Sequence, residues 1–407
     1  MSPTILEPPT GVTEDSPSPA LPELPPPETA KRPHFNLPTR PAWIEIDLAK
    51  LKRNYEIIAQ ATPAGVQLAA VVKDEGYGHG ALAVAKAAVA CGTSYLALST
   101  LEEGVALRER GIRCRLLLLG DRHESELPWC LDYNLTCCLS EPHAATQLGR
   151  LAARANKRVP VHLKINTGMN RYGVRWSEAG SLAELIRATP SLLLEGALTH
   201  FAQSDEVDKT FALLQLARFN EAVADLAARG IRIKLRHVCN SGGFLDLPPA
   251  HFEMVRLGIL PLGVYPSTVC RRLEGLEPVM AVKALVAGIQ QLQPGESVGY
   301  GMRYTAPSPR RIAVLPLGYG DGFPRVRNQG FALLHGRRAP LIGGVAMDAL
   351  MVDITDIPAA QLWDEAVLMG RQGGEEISVH EVAKLKNSVS YDVLTAWRLR
   401  LPRVYLP

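Results

Sequence analysis

Eight short apolar runs, spaced by helical segments, constrain this chain more than any other feature of its sequence. They are Gln67 to Lys73, Tyr95 to Ser99, Arg115 to Leu119, Leu135 to Leu139, Val159 to Asn166, Leu192 to His200, Ile233 to Cys239 and Glu253 to Leu257. Runs of this length and hydrophobicity read as strands buried on both faces, the condition of a parallel sheet under helices. The clearest intervening helix spans residues 206–229. Leu216, Phe219, Val223 and Leu226 share one of its faces, and Gly230 stands where a C-terminal glycine cap belongs. Eight such units in about 210 residues match an α/β fold of the (β/α)8 TIM-barrel type.

Upstream, Trp43-Ile44-Glu45-Ile46-Asp47 alternates as a half-buried strand does, and Asp47 is placed to cap a helix carrying Leu48, Leu51, Tyr55 and Ile58 on one face. After about residue 276 helical periodicity fades. Runs at Ala281 to Ile289, Arg311 to Pro316, Phe331 to Leu334, Ala349 to Ile354 and Leu368 to Met369 lie between glycine- and proline-rich turns. They predict a C-terminal β-rich domain. Residues 1–41 hold 12 of the 31 prolines and few large apolar residues, so they cannot offset the entropy of ordering and read as a disordered tail, dispensable or a partner-binding arm. The expected division is a tail over 1–41, a barrel over 42–276 and a β-domain over 277–407.

A formal net charge of +3, with lysines and arginines scattered, argues against nucleic acid as a partner. No apolar stretch reaches the roughly 18 residues that span a membrane, and no export signal opens the chain, so a cytoplasmic protein is expected. The seven cysteines are odd in number and none falls in a C-x-x-C pair, which points to reduced thiols and away from a metal site.

Chemistry in a (β/α)8 barrel gathers at the C-terminal ends of its strands. The last residues of the runs give Lys73, Lys164-Ile165-Asn166, Thr199-His200, Asn240-Ser241 and Arg256. This set is cationic and rich in donors, suited to an anionic ligand that a lysine holds covalently. Lys73 leaves an apolar strand, where poor hydration disfavours the ammonium and frees the amine as a nucleophile. Tyr77 offers a hydroxyl to an anion, while Ser241 and Gly258 offer hydroxyl and backbone donors to a phosphate. Singly, each residue has an ordinary structural reading: a snorkelling lysine, a satisfied core histidine, half of an ion pair. Convergence on one barrel mouth is what sets them apart.

Val72-Lys73 through Tyr77-Gly78-His79-Gly80 resembles the cofactor-lysine motif of the alanine racemase family. Lys164-Ile165-Asn166-Thr167-Gly168-Met169-Asn170-Arg171, Thr199-His200-Phe201-Ala202, Asn240-Ser241, Val255-Arg256-Leu257-Gly258-Ile259, Gly299-Tyr300-Gly301, Gly318-Tyr319-Gly320-Asp321-Gly322, Met347-Asp348 and Arg400-Leu401-Pro402-Arg403 follow in that family's order. Any one match is weak. Nine in order, covering nearly everything from Ala42 to Pro407, are specific.

The resemblance implies a pyridoxal 5′-phosphate enzyme that interconverts L- and D-alanine as a homodimer with shared sites, supplying D-alanine for peptidoglycan. Lys73 would hold the cofactor and act as base on one face of the α-carbon. Tyr300 of the partner subunit would act on the other, since inversion needs one group to remove the proton and another to return it from behind. His200 would lie between Tyr300 and Arg256. Arg256 would face the pyridine nitrogen and, by staying protonated, keep the ring a weak electron sink. Tyr77, Asn240, Ser241, Gly258, Ile259 and Tyr391 would complete the cofactor site. Arg171 would meet the cofactor phenolate and the substrate carboxylate, Met347 and Tyr319 would face the substrate, and Lys164 takes a position that is carbamylated in many members.

Three departures stand out. Asp74-Glu75-Gly76 replaces a small residue, Asn or Asp, and Ala, and Glu75 turned inward would raise the pKa of Lys73. Asn166 replaces the customary Asp, and Gly242-Gly243 stand where Ala is common. The alternatives are a broad-specificity racemase, a fold-related decarboxylase with a carboxylate in place of Arg256 and a cysteine in place of Tyr300, and a non-catalytic cofactor carrier lacking the β-domain.

Overall fold

A computed structural model describes residues 40–407; residues 1–39 of the expected tail lie outside the described residues. Arg40 is the first described residue. Its Nη2 donates to Asp321 Oδ2 at 2.9 Å and to Pro316 O at 3.0 Å, which anchors the chain where it enters the fold. Strand β1 (Ala42–Asp47) leads into helix α1 (Leu48–Ala61), which Asp47 caps by accepting the Lys50 N–H at 2.8 Å.

All eight predicted barrel strands are present. They are β2 (Gln67–Val71), β3 (Tyr95–Leu98), β4 (Arg115–Leu118), β5 (Leu135–Leu139), β6 (Val159–Asn166), β7 (Leu192–Leu198), β8 (Leu235–His237) and β9 (Met254–Leu257). The hydrogen-bonded order β9-β2-β3-β4-β5-β6-β7-β8 is parallel throughout. The ring closes where the Arg256 N–H donates to Cys239 O at 3.0 Å, just past β8. Leu96, Leu98, Leu116, Leu118, Val161, Leu163 and Ala197 are fully buried, which is why these strands read as unbroken apolar runs. The predicted 206–229 helix runs from Thr210 to Ala228. It starts late because Asp208 Oδ1 accepts the Thr210 N–H at 2.8 Å and holds the preceding residues in a turn, and it ends at Gly230 with φ +71°.

The second sheet contains β10 (Met280–Leu285), β11 (Gly288–Leu292), β12 (Arg310–Leu315), β13 (Phe331–Leu334), β14 (Arg337–Ile342), β15 (Leu350–Asp353), β16 (Glu365–Gln372) and β17 (Arg403–Leu406). Its order is β11-β12-β15-β14-β13-β16-β10-β1-β17. Although β1 precedes the barrel in sequence, it pairs antiparallel with β10 and parallel with β17. Its alternation was the signal: Ala42, Ile44 and Ile46 are fully buried between less buried neighbours, as in a sheet covered on one face, whereas barrel strands are apolar on both. The run Ala281 to Ile289 is two strands broken at Val286-Ala287. Helices Val379–Leu385 and Ser390–Ala396, each only seven residues, stand in the segment that showed little helical periodicity. Among the described residues no helix is long and apolar enough to cross a membrane, and all seven cysteines are free thiols.

Candidate active site

The chain leaves β2 through an unusual turn. Asp74, Glu75, Gly76, Tyr77 and Gly78 take φ of 51, 53, 60, 54 and 78°, five left-handed residues in succession. Each non-glycine residue there costs about 1–2 kcal/mol, so the surroundings must hold the turn in place. Glu103, in the first turn of helix α2 (Leu101–Glu109), does part of this. Its carboxylate accepts the backbone N–H groups of Asp74, Ser99 (2.8 Å) and Thr100 (3.1 Å). The turn points Lys73 into the barrel mouth. Glu75 faces away, its Oε2 near the Ala81 N–H at 3.4 Å. The lysine amine is accordingly pushed below its ordinary value, first by burial and then by Arg171, with Glu103 and Asp74 only partly opposing.

Eleven of the residues singled out in the sequence line one cavity of about 610 Å³: Lys73, Tyr77, Lys164, Arg171, His200, Asn240, Ser241, Arg256, Gly258, Ile259 and Tyr391. At one end Tyr77 and Tyr391 lie with ring centroids 6.1 Å apart, and burial pushes both hydroxyls above their ordinary values. Gly258 passes beneath them so closely that a Cβ there would sit 2.4 Å from Tyr77 Oη. Asn240 Oδ1 accepts the Gly243 N–H at 2.9 Å and the Ser204 hydroxyl at 2.7 Å, shaping the loop that presents Ser241. The Gly242-Gly243 departure has a steric origin: added Cβ atoms would lie 2.9 Å from Ser204 Oγ and from Phe201 Cδ2.

Arg256 occupies the other end. Its Nη2 donates to Thr199 O at 2.8 Å, Val238 O at 3.2 Å and His200 Nδ1 at 3.3 Å, and its Nη1 to His237 Nδ1 at 3.0 Å. Burial pushes the guanidinium down to about 10, which still leaves a cation at neutral pH. Burial first, then Arg256, hold His200 well below its usual value, as a neutral ring. Because arginine only donates, Nδ1 of His200 is the acceptor and its Nε2 carries the proton. Lys164, buried beside it, is pushed down to about 8 by burial and then Arg256. Asn166 organises the segment that carries Arg171, its Oδ1 accepting the N–H groups of Gly168 and Asn170 at 3.0 and 3.1 Å.

Three expected residues stand apart from this cavity. Tyr300 is 81% exposed and Met347 50% exposed, and neither lines it. Tyr319, half-buried, sits beside Met347, the Gly320 N–H donating to Met347 O at 2.9 Å. Conversely, Arg122, Glu126 and Tyr172 line the mouth, and His162 and His237 stand behind Arg256, though none drew notice in the sequence. The two histidines did leave a signal, since a polar residue inside an apolar barrel strand must find a buried partner.

Lys73, His200 and Arg256 thus meet at the C-terminal mouth of a (β/α)8 barrel whose chain continues into a largely antiparallel sheet. Residues 46–266 match the family model described as alanine racemase, N-terminal domain, and residues 279–405 the model described as alanine racemase, C-terminal domain. An alanine racemase of Syntrophobacter fumaroxidans is 40% identical over 353 residues, 86% of this chain and 94% of that protein. The solved alanine racemase of Clostridium difficile superposes with a TM-score of 0.87 at 32% identity, covering 90% of this chain and 96% of that one. A histidine racemase of Leuconostoc mesenteroides superposes with 0.83 at 25% identity, covering 92% and 100%. The chain belongs to the alanine racemase family.

Proposed function

We propose that this chain interconverts L- and D-alanine with pyridoxal 5′-phosphate, as a cytoplasmic homodimer, and so supplies D-alanine for peptidoglycan. One observation carries the reading: separate strand ends bring Lys73, Lys164, His200 and Arg256 to a single cavity. The residues present fit the cofactor. Tyr77, Ser241, Tyr391 and the close-passing backbone of Gly258 and Ile259 form a donor-lined end for a phosphate, with no room for a side chain at position 258. Lys73, Lys164, Arg171 and Arg256 supply a positive field for a polyanion. When bound, the cofactor withdraws electrons from the substrate α-carbon and acidifies its C–H bond.

The chain's own groups do the rest. Lys73 Nζ, with its lowered pKa, would hold the cofactor, and its free amine would take or return the proton on one face of the α-carbon. Tyr300 of the partner subunit serves the opposite face. Its exposure, and its absence from its own subunit's cavity, support a site completed by a second copy; Met302 at 71% and Met347 at 50% exposure extend the same surface. The Nε2–H of His200 is free to donate to a tyrosinate oxygen and stabilise it as the base. Arg256 stays charged and will not donate its proton outright, which limits electron withdrawal and disfavours transamination and decarboxylation. Arg171 pairs with the substrate carboxylate, Asn240 supports the cofactor loop, and Met347 and Tyr319, which lie outside their own subunit's cavity, bound the substrate side from the partner subunit. The amine of Lys164, uncharged more readily than an ordinary lysine, is the form that takes up carbon dioxide as a carbamate. A broader substrate range is the second reading, favoured by the likeness to a histidine racemase.

The test is incubation of L-alanine in deuterated water with the protein and cofactor, followed by chiral separation. Deuterated D-alanine is expected from the wild type and none from Lys73→Ala. Cofactor binding without α-proton exchange would redirect the site to another amino acid.

A further inference from the structure

A chain of polar side chains runs through the barrel interior from Arg256 to the opposite end of the strands. Arg256 Nη1 on β9 lies 3.0 Å from His237 Nδ1 on β8, and His237 Nε2 lies 2.8 Å from His162 Nδ1 on β6. His162 Nε2, fully buried and without a hydrogen-bond partner, faces Glu195 Oε2 on β7 at 3.7 Å. Glu195 also accepts from Tyr95 Oη on β3 at 2.7 Å and pairs with Arg115, the first residue of β4. His162 and His237 are fully buried, and neither they nor Glu195 lines the cavity.

Each link has one permitted direction. A guanidinium only donates, so His237 Nδ1 must accept and the ring proton of His237 sits on Nε2. That proton is donated to His162 Nδ1, which places the proton of His162 on Nε2, facing a carboxylate that only accepts. Reversing either ring would set an N–H against an N–H at Arg256 or a bare nitrogen against Glu195, and buried groups left in that state are costly. Burial holds both rings below the ordinary histidine value, which disfavours a second proton on either.

We propose that Glu195 and His162 are positioning residues: they fix the tautomer of His237 and, through it, the seating of Arg256 at the cavity. The catalytic consequence rests on the role of Arg256 given above, whereas the tautomers are a property of the buried chain itself. Both can be read in the cofactor-loaded enzyme labelled with ¹⁵N-histidine. Long-range nitrogen–proton spectra are expected to show His162 and His237 protonated on Nε2 alone, unchanged from about pH 6 to 9. Glu195→Gln, which keeps an accepting oxygen, is expected to retain that pattern. Glu195→Met, which does not, is expected to mix the tautomers, shift the cofactor absorbance and raise several-fold the share of turnovers that end in transamination, read as pyruvate released from alanine. A wild-type proton on His237 Nδ1 overturns the proposal even if no variant folds. Wild-type tautomers and pyruvate release in Glu195→Met overturn it as well. Loss of racemisation with the tautomers intact would count against the alanine reading instead.

Discussion

Lys164 is 6% exposed and shares its surroundings with Arg256 and Arg171, so an ammonium there is poorly solvated and repelled. Its folded value of about 8 lies below the 10.5 of an ordinary lysine, so between those values the unfolded chain binds more protons and stability rises with pH. Below pH 8 the penalty is fully present, on the order of 3 kcal/mol. In bicarbonate-free buffer Lys164→Met should therefore stabilise the fold by up to about 3 kcal/mol near pH 7, with the gain fading toward pH 10, as urea denaturation at the two pH values would show. Added bicarbonate should narrow the gain if a carbamate forms. Gly258 offers a second test at the same scale. A Cβ would push the buried Tyr77 ring and hydroxyl aside, so Gly258→Ala should weaken cofactor binding by about tenfold or more, about 1.4 kcal/mol, in a fluorescence titration, and also cost about 1–3 kcal/mol of stability in the cofactor-free protein.

The left-handed turn after β2 depends on an element remote from it in sequence. Glu103 accepts backbone donors from the loop it caps and from Asp74, so Glu103→Ala should cost about 1–3 kcal/mol of stability, and more of that loss should fall on cofactor affinity than after loss of an ordinary helix cap. Parallel strand content was legible because burial on both faces leaves little but apolar residues; β5 and β6 match their expected bounds to the residue, and the runs through Lys73 and His200 overshot only because strand residues pass directly into site residues. Arg337–Ile342 was not legible, since its arginines face solvent on an edge-like pattern that also fits a loop. The partners of Lys73 at the mouth were legible as strand-end polar residues. The backbone angles of Asp74 and Glu75 were not, because no residue type announces a left-handed run that distant contacts impose.

For the whole molecule, the proposed assembly of each site from two copies predicts complementation. Lys73→Ala and Tyr300→Phe proteins, each expected to be inactive or nearly so, should on co-refolding recover on the order of a quarter of wild-type activity, since about half the dimers are mixed and each holds one intact site. Recovery no greater than the sum of the parents would place both bases in one subunit. The second sheet carries a different consequence, for synthesis. Its strand β1 is flanked by β10 and β17, so it leaves the ribosome long before the partners it pairs with, the barrel lying between them in sequence. At about 5–20 residues per second that wait lasts on the order of tens of seconds. Meanwhile both edges of β1, with Ile44 and Ile46, are open to wrong pairings, and the barrel can close well before the sheet does. A nascent chain with its barrel closed and β1 still unpaired is the stage at which a holding chaperone would have most to protect.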